Sequence, residues 1–245
     1  MQIRFVATLK DNYTYLVVDE PSRRALVVDP AESGPVLEFL QAEELKPSAI
    51  WITHHHADHT GGIGGLLQHF GDMPVICSER DKDRVPHVNR TAKAGDRLEF
   101  AGQSVSILSL PGHAEGHIAF HFPEAGHLFS GDVLFGASCG AVFGGTYDEM
   151  CDSVCQVKAL PASTQIWCGH EYTGNNLRWA AHVLGETALA ERVAQHKVPS
   201  IPLLLETELA TNPFLRLDSP EVKAYTGESQ TRAVFKALRQ LKDKF

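Results

Sequence analysis

Residues 53–62 read Thr-His-His-His-Ala-Asp-His-Thr-Gly-Gly, so four imidazoles and a carboxylate fall within six consecutive positions, 54–59. In extended backbone, residues two apart share a side, so His54 and His56 can aim at one cation while His55 points away. The chain then turns, and Asp58 and His59 can address a second cation beside the first. Three later segments supply what two half-sites lack. His113 in Pro-Gly-His-Ala-Glu-Gly-His completes the set of His54 and His56, and His170 completes that of Asp58 and His59. Asp132, with two carboxylate oxygens, can bridge. Mixed nitrogen and oxygen ligation suits zinc, iron or manganese and argues against a thiolate site. Two such ions at a separation of about 3.5 Å hold a bridging hydroxide and lower the pKa of the water that made it.

Ligands scattered over more than a hundred residues need rigid elements to bring them to one rim, and each follows a short apolar run. Residues 49–53 lead into the histidine cluster, 108–110 into His113, 128–130 into Asp132 and 166–169 into His170. Further strands are expected at 2–7, 13–19, 25–29, 75–77, 97–100, 105–110, 118–122, 128–130 and 165–168. Helical spacing follows Ser33-Gly34-Pro35 at Val36, Leu37, Leu40 and Leu45, is stopped by Lys46-Pro47, and recurs at Ile63, Leu66, Leu67 and Phe70 and over 146–160. So many strands with helices among them predict an α/β fold, two sheets covered on their outer faces by helices. Beyond His170 the pattern turns helical, at 175–184, 186–197 and 231–245, with Val234, Phe235, Leu238 and Leu241 as one stripe and 201–216 as connection. A catalytic domain at 1–170 and a small helical domain at 171–245 are therefore expected.

Composition narrows the partners. The chain has 245 residues, 22 basic against 30 acidic, a formal net charge of -8. That balance offers nucleic acid or anionic lipid no general attraction. No apolar stretch approaches 18 residues, and the N-terminal segment alternates like a strand, so neither export nor membrane spanning is expected and the cytoplasm is the expected compartment. Five cysteines, an odd number without framework spacing, read as reduced, partly buried thiols. Cys151 and Cys155, one helical turn apart, are assigned to helix packing. His117, His121, His127 and His182 are read as packing or surface residues, since both half-sites are already filled.

Thr-His-His-His-Ala-Asp-His, Leu-Pro-Gly-His-Ala-Glu-Gly-His, Phe-Ser-Gly-Asp and Cys-Gly-His-Glu-Tyr-Thr-Gly-Asn-Asn together resemble the successive motifs of the glyoxalase II (hydroxyacylglutathione hydrolase) family of the metallo-β-lactamase superfamily. The resemblance covers essentially the whole chain. It implies an αββα sandwich followed by a helical substrate-binding domain, two divalent ions with zinc favoured over iron or manganese, and hydrolysis of the S-D-lactoylglutathione thioester to D-lactate and glutathione by a metal-bridging hydroxide, a step of methylglyoxal detoxification. His54, His56 and His113 then hold the first ion, Asp58, His59 and His170 the second, and Asp132 bridges; Asp58 is also the catalytic residue that orients the nucleophile. Tyr172, Asn176, Arg239, Lys242 and Phe143 are implied as substrate-binding residues at a glutathione pocket, in a monomer or weak oligomer acting on a small thioester. The family usually carries a basic residue and, two places on, an aromatic, often tyrosine, where this chain has Ala141 and Phe143. Phe143 keeps the aromatic place without a hydroxyl, which leaves room for weaker affinity, a compensating residue or another thiol carrier. Competing readings are a hydrolase of another thioester or lactone and an iron-dependent persulfide dioxygenase.

Overall fold

The computed structural model describes all 245 residues. Hydrophobic alternation and turn residues produce β1 (Gln2–Thr8), β2 (Asn12–Asp19) and β3 (Arg24–Val28) as an antiparallel run. Next come α1 (Ser33–Ala42), β4 (Lys46–Trp51), the single turn α2 (Ala57–Thr60), α3 (Ile63–Phe70), β5 (Val75–Ser78) and β6 (Arg90–Ala92). Strands β4, β5 and β6 add in parallel, each reached by a crossover, giving a six-stranded sheet in sequence order.

A second six-stranded sheet is built from β7 (Arg97–Phe100), β8 (Gln103–Ser109), β9 (Ile118–Phe122), β10 (His127–Gly131), β13 (Gln165–Cys168) and β14 (Leu203–Leu204), ordered β14-β13-β10-β9-β8-β7. Between β10 and β13 lie the short hairpin β11 (Leu134–Phe135) with β12 (Ser138–Cys139), and α4 (Tyr147–Lys158). The remaining elements are α5 (Thr173–Leu184), α6 (Glu186–Gln195), α7 (Leu205–Thr211), α8 (Pro220–Thr226) and α9 (Thr231–Lys242).

The chain forms two compact units. In the first, comprising 1–109, 115–125 and 129–131, β2 is buried along almost its whole length because both of its faces are covered. Leu16, Val18, Ala25, Val27 and Ile50 face α1 and α3 and pack with Val36, Leu40, Ile63 and Leu66. The opposite face meets the second sheet through Trp51 against Phe120, ring centroids 5.0 Å apart, and Tyr15 against Phe129 at 5.4 Å. Burying such rings contributes about 1.5–3 kcal/mol each.

In the second unit, 110–114, 126–128 and 132–245, Thr146 and Glu149 form a capping box at the start of α4. Trp179 stacks on Phe214, and Phe235 meets Phe214 edge-on, with centroids 5.4 Å apart in each pair. Met150 packs against Gly112, whose φ of 137° leaves no room for a side chain: an added Cβ would sit 2.5 Å from the Met150 Cβ.

Four local expectations change. Residues 201–216 are not plain connection but hold β14, α7 and a 3-10 turn, Pro213–Leu215. Pro202 precedes the strand and Pro213 opens the turn, so neither interrupts α7. A helix absent from the sequence reading, α8, starts from the Ser219 cap with Pro220 in its first position. In α9 the apolar stripe ends at Leu238; Leu241 is 37% exposed, while Arg239 is 5% exposed. Lys46-Pro47 also opens β4 rather than merely ending α1, whose last residue is Ala42.

Gly112→Ala is expected to destabilise the fold by about 3 kcal/mol through left-handed strain plus overpacking. Gly126→Ala, at φ 71° with open space around it, should cost about 1 kcal/mol; urea titration of both variants measures the difference.

Candidate metal centre

Sheet ends and the loops that leave them carry every candidate ligand. In the first unit, β4 ends just before Thr53 and His54. Asp29, which follows β3 with φ 50°, is 4% exposed. Its Oδ1 accepts the Thr53 backbone N–H at 2.8 Å, and its Oδ2 accepts the Thr53 hydroxyl at 2.6 Å and lies 3.0 Å from His59 Nδ1. The Thr53 Oγ1 in turn lies 3.1 Å from His54 Nδ1.

These contacts occupy the rear nitrogens of His54 and His59 and leave Nε2 of each as the available ligand atom. His54 Nε2 and His56 Nδ1 stand 2.9 Å apart, close enough for both to address one cation. Asn12 fixes Asp58 by donating Nδ2 to its Oδ2 at 3.1 Å and to its carbonyl at 3.0 Å. His55 points elsewhere, to buried Asp81 at 3.2 Å.

The second unit presents a complementary arrangement. Asp132 Oδ2 lies 3.4 Å from His113 Nε2 and 3.3 Å from His170 Nε2, a carboxylate oxygen between two imidazoles. His113 Nδ1 is 2.9 Å from the Ala141 carbonyl, which again selects Nε2 as the forward atom. Each unit thus gathers its own candidates: His54, His56, Asp58 and His59 in the first, with His59 Nε2 3.8 Å from Asp58 Oδ2, and His113, Asp132 and His170 in the second. Five nitrogens and two carboxylates, no thiolate among them, fit borderline divalent ions.

A cavity of about 250 Å³ in the second unit is lined in part by Tyr172, whose ring stacks on His170, 4.7 Å away and 5° from parallel. Phe135, Ser138, Cys139, Ala141, Asn175, Asn176, Arg239 and Lys242 complete its wall. Asn176 Nδ2 is buried with no hydrogen-bond partner, a donor held for something the cavity receives. Arg239 donates Nη1 to the Cys139 carbonyl at 2.8 Å and Nε to Asp243 at 2.9 Å. Burial, reinforced by the Arg239 charge, pulls the Lys242 ammonium down to about 8. Phe143 stays outside this wall, 73% exposed, with its ring edge-on to His113 at 5.3 Å.

Two family models divide the sequence between them. The metallo-beta-lactamase superfamily model matches residues 7–170, and the hydroxyacylglutathione hydrolase C-terminus model matches residues 171–245. Proteins named hydroxyacylglutathione hydrolase from Gloeobacter violaceus and a Synechococcus strain are 42% and 45% identical, each aligned over the whole of both chains. The chain belongs to the hydroxyacylglutathione hydrolase family.

Solved structures agree on the fold of this family member. ETHE1 from Myxococcus xanthus is similar with a TM-score of 0.71 at 22% identity, covering 98% of this chain and 91% of its own. TTHA1623, solved in a di-iron-bound form, matches with a TM-score of 0.65 at 26% identity, covering 88% of this chain and all of its own. The metallo-β-lactamase fold is thereby established for this chain.

Sequence reasoning passed over Asp29, Asn12, Phe135, Ser138 and Cys139. The signal for Asp29 was present as a carboxylate directly after an apolar strand, but nothing local tells such a residue from an ordinary turn. Asp29→Asn is expected to weaken affinity for the ion nearest His59 by about 10–100-fold. Competition with a chromophoric chelator, read as two separate dissociation constants, checks this.

Proposed function

We propose that the chain is a glyoxalase II, hydrolysing S-D-lactoylglutathione to D-lactate and glutathione. The observation that carries this reading is the cavity lined by Tyr172, which stacks on His170, together with Arg239, Lys242 and the unpartnered Asn176 amide, groups suited to an anionic peptide. Full-length relatives bearing the hydroxyacylglutathione hydrolase name support it. In this reading 1–170 supplies the metal-holding, catalytic part and 171–245 the substrate-binding part.

His54, His56 and His113 would hold one ion, Asp58, His59 and His170 the other, with Asp132 shared. Zinc is the ion favoured by this donor set, ahead of iron and manganese. Bound there, the ions supply a water deprotonated near neutral pH and Lewis-acid polarisation of the thioester carbonyl. Asp58, oriented by Asn12, directs the attacking water and accepts its proton. The departing thiolate, from a thiol of ordinary pKa near 8.5, needs no strong general acid.

Arg239 and Lys242 hold a carboxylate of the thiol carrier, Asn176 donates to its backbone, and Tyr172 carries the thioester towards His170. No helix is long and apolar enough to cross a membrane. A cytoplasmic location and a monomeric or weakly associated state complete the proposal, with no role for nucleic acid. Ala141 contributes only a methyl group to the cavity, so a thioester on another carrier, or a lactone, is the reading to compare.

The test is kcat and KM for S-D-lactoylglutathione on the zinc-loaded protein from pH 7 to 9, beside a lactoyl thioester lacking the peptide and with Asp58→Ala as control. Below about 8 Lys242 is protonated and above it neutral, so KM for the glutathione substrate should rise across this range while that of the peptide-free thioester stays flat. Equal kcat/KM on both substrates would sink the glutathione assignment.

A further inference from the structure

The hairpin that forms one wall of the cavity cannot hold itself. Strands β11 and β12 share only two register pairs, Leu134 with Cys139 and Phe135 with Ser138, and their turn places Ala137 at φ 58°. So short a ladder is marginal by itself, yet Cys139 must keep its carbonyl at Arg239 Nη1. The stabilising groups come from the far side of the helical segment. Glu208 in α7 is wholly buried, and its Oε2 accepts the Ala137 N–H at 2.8 Å. Asn212, also wholly buried, caps the end of α7 and donates Nδ2 to the Phe135 carbonyl at 3.2 Å, the Ser138 carbonyl at 3.0 Å and Glu208 Oε2 at 3.1 Å.

The cluster is also connected onward. Asn212 Oδ1 accepts the Phe214 N–H at 3.0 Å, and the Phe214 ring lies 5.4 Å beneath the Arg239 guanidinium. Arg192 pairs with Glu208 Oε1 and neutralises the buried charge. Both ends of the contact between Arg239 and Cys139 are therefore set by one buried cluster.

We infer that Glu208 and Asn212 are positioning residues for thiol-carrier recognition, clamping the β11–β12 hairpin so that Cys139 and Arg239 keep the geometry that receives the carrier's carboxylate. The inference rests on the proposed function and names residues that do not themselves line up with the reacting atoms. A residue of this kind acts on substrate binding and leaves the chemical step intact. Loosening the clamp weakens a charge-assisted contact to the carrier's carboxylate, which should cost about 10-fold or more in affinity.

Glu208→Gln and Asn212→Ala are made in the full chain, loaded with zinc, and checked for melting temperature and metal content. Titration calorimetry with S-hexylglutathione, which is not a substrate, reads binding directly. The expected result is a Kd raised at least 10-fold in both variants, KM for S-D-lactoylglutathione raised in step, kcat within about 3-fold of wild type, and unchanged kinetics on the peptide-free thioester. Should one variant fail to fold, the other decides. Unchanged affinity in a folded variant, or an equal fall in kcat on both substrates, overturns the inference. If the wild-type protein does not bind S-hexylglutathione at all, the glutathione reading fails first and the clamp's assigned role falls with it.

Discussion

The placement of His54 and His59 depends on one buried carboxylate. Asp29 spends both oxygens on the strand end and turn that follow it, receiving the Thr53 backbone and hydroxyl and facing the rear nitrogen of His59. Without those contacts a negative charge at 4% exposure would be expensive. With them it fixes a tautomer, an orientation and the angle at which the chain leaves β4. Thr14 adds to this by donating its hydroxyl to the Asp29 carbonyl at 2.9 Å while receiving the Ala31 N–H at 3.2 Å. The conformation with positive φ at Asp29 is held from two sides, which is how local backbone strain persists in a folded protein.

A similar economy operates in the second unit, where backbone carbonyls do the orienting. Ala141 gives its carbonyl to His113 and its methyl to the cavity wall, so one residue serves the metal ligand and the binding pocket together. The side chain at position 141 therefore has no part in holding His113: the contact belongs to the main chain. Cys139 serves Arg239 in the same way. The cavity wall therefore depends on a two-pair hairpin, which Glu208 and Asn212 hold from behind.

Much of the architecture was legible because period and punctuation agreed. The first strands, α3, α4 and β13 were set by alternation or by apolar spacing, while the Thr146–Glu149 capping box that starts α4 emerged only in the structure. Four of the candidate ligands lie within six residues, where local backbone geometry alone relates them, and the others sit at the ends of apolar runs. What escaped depends on long-range partners. Glu208 and Asn212 lay in a segment read as connection, because two prolines suggested interruption where they mark boundaries. Arg239 was legible as a cation on α9 but not as a buried one: its burial comes from the Cys139 carbonyl a hundred positions earlier and from Asp243. Leu241, placed on the apolar stripe by spacing, is exposed because the last turn of α9 turns Arg239 inward instead.

The central claim is that the forward-facing nitrogens of five histidines, with Asp58 and Asp132, hold two ions. Elemental mass spectrometry of the protein after equilibration with zinc and removal of excess metal measures it most directly. The account predicts two ions per chain, falling to about one in an Asp58→Ala, His59→Ala double variant. One ion per chain in the wild-type protein would contradict it and favour a single-iron oxidative chemistry over two-metal hydrolysis.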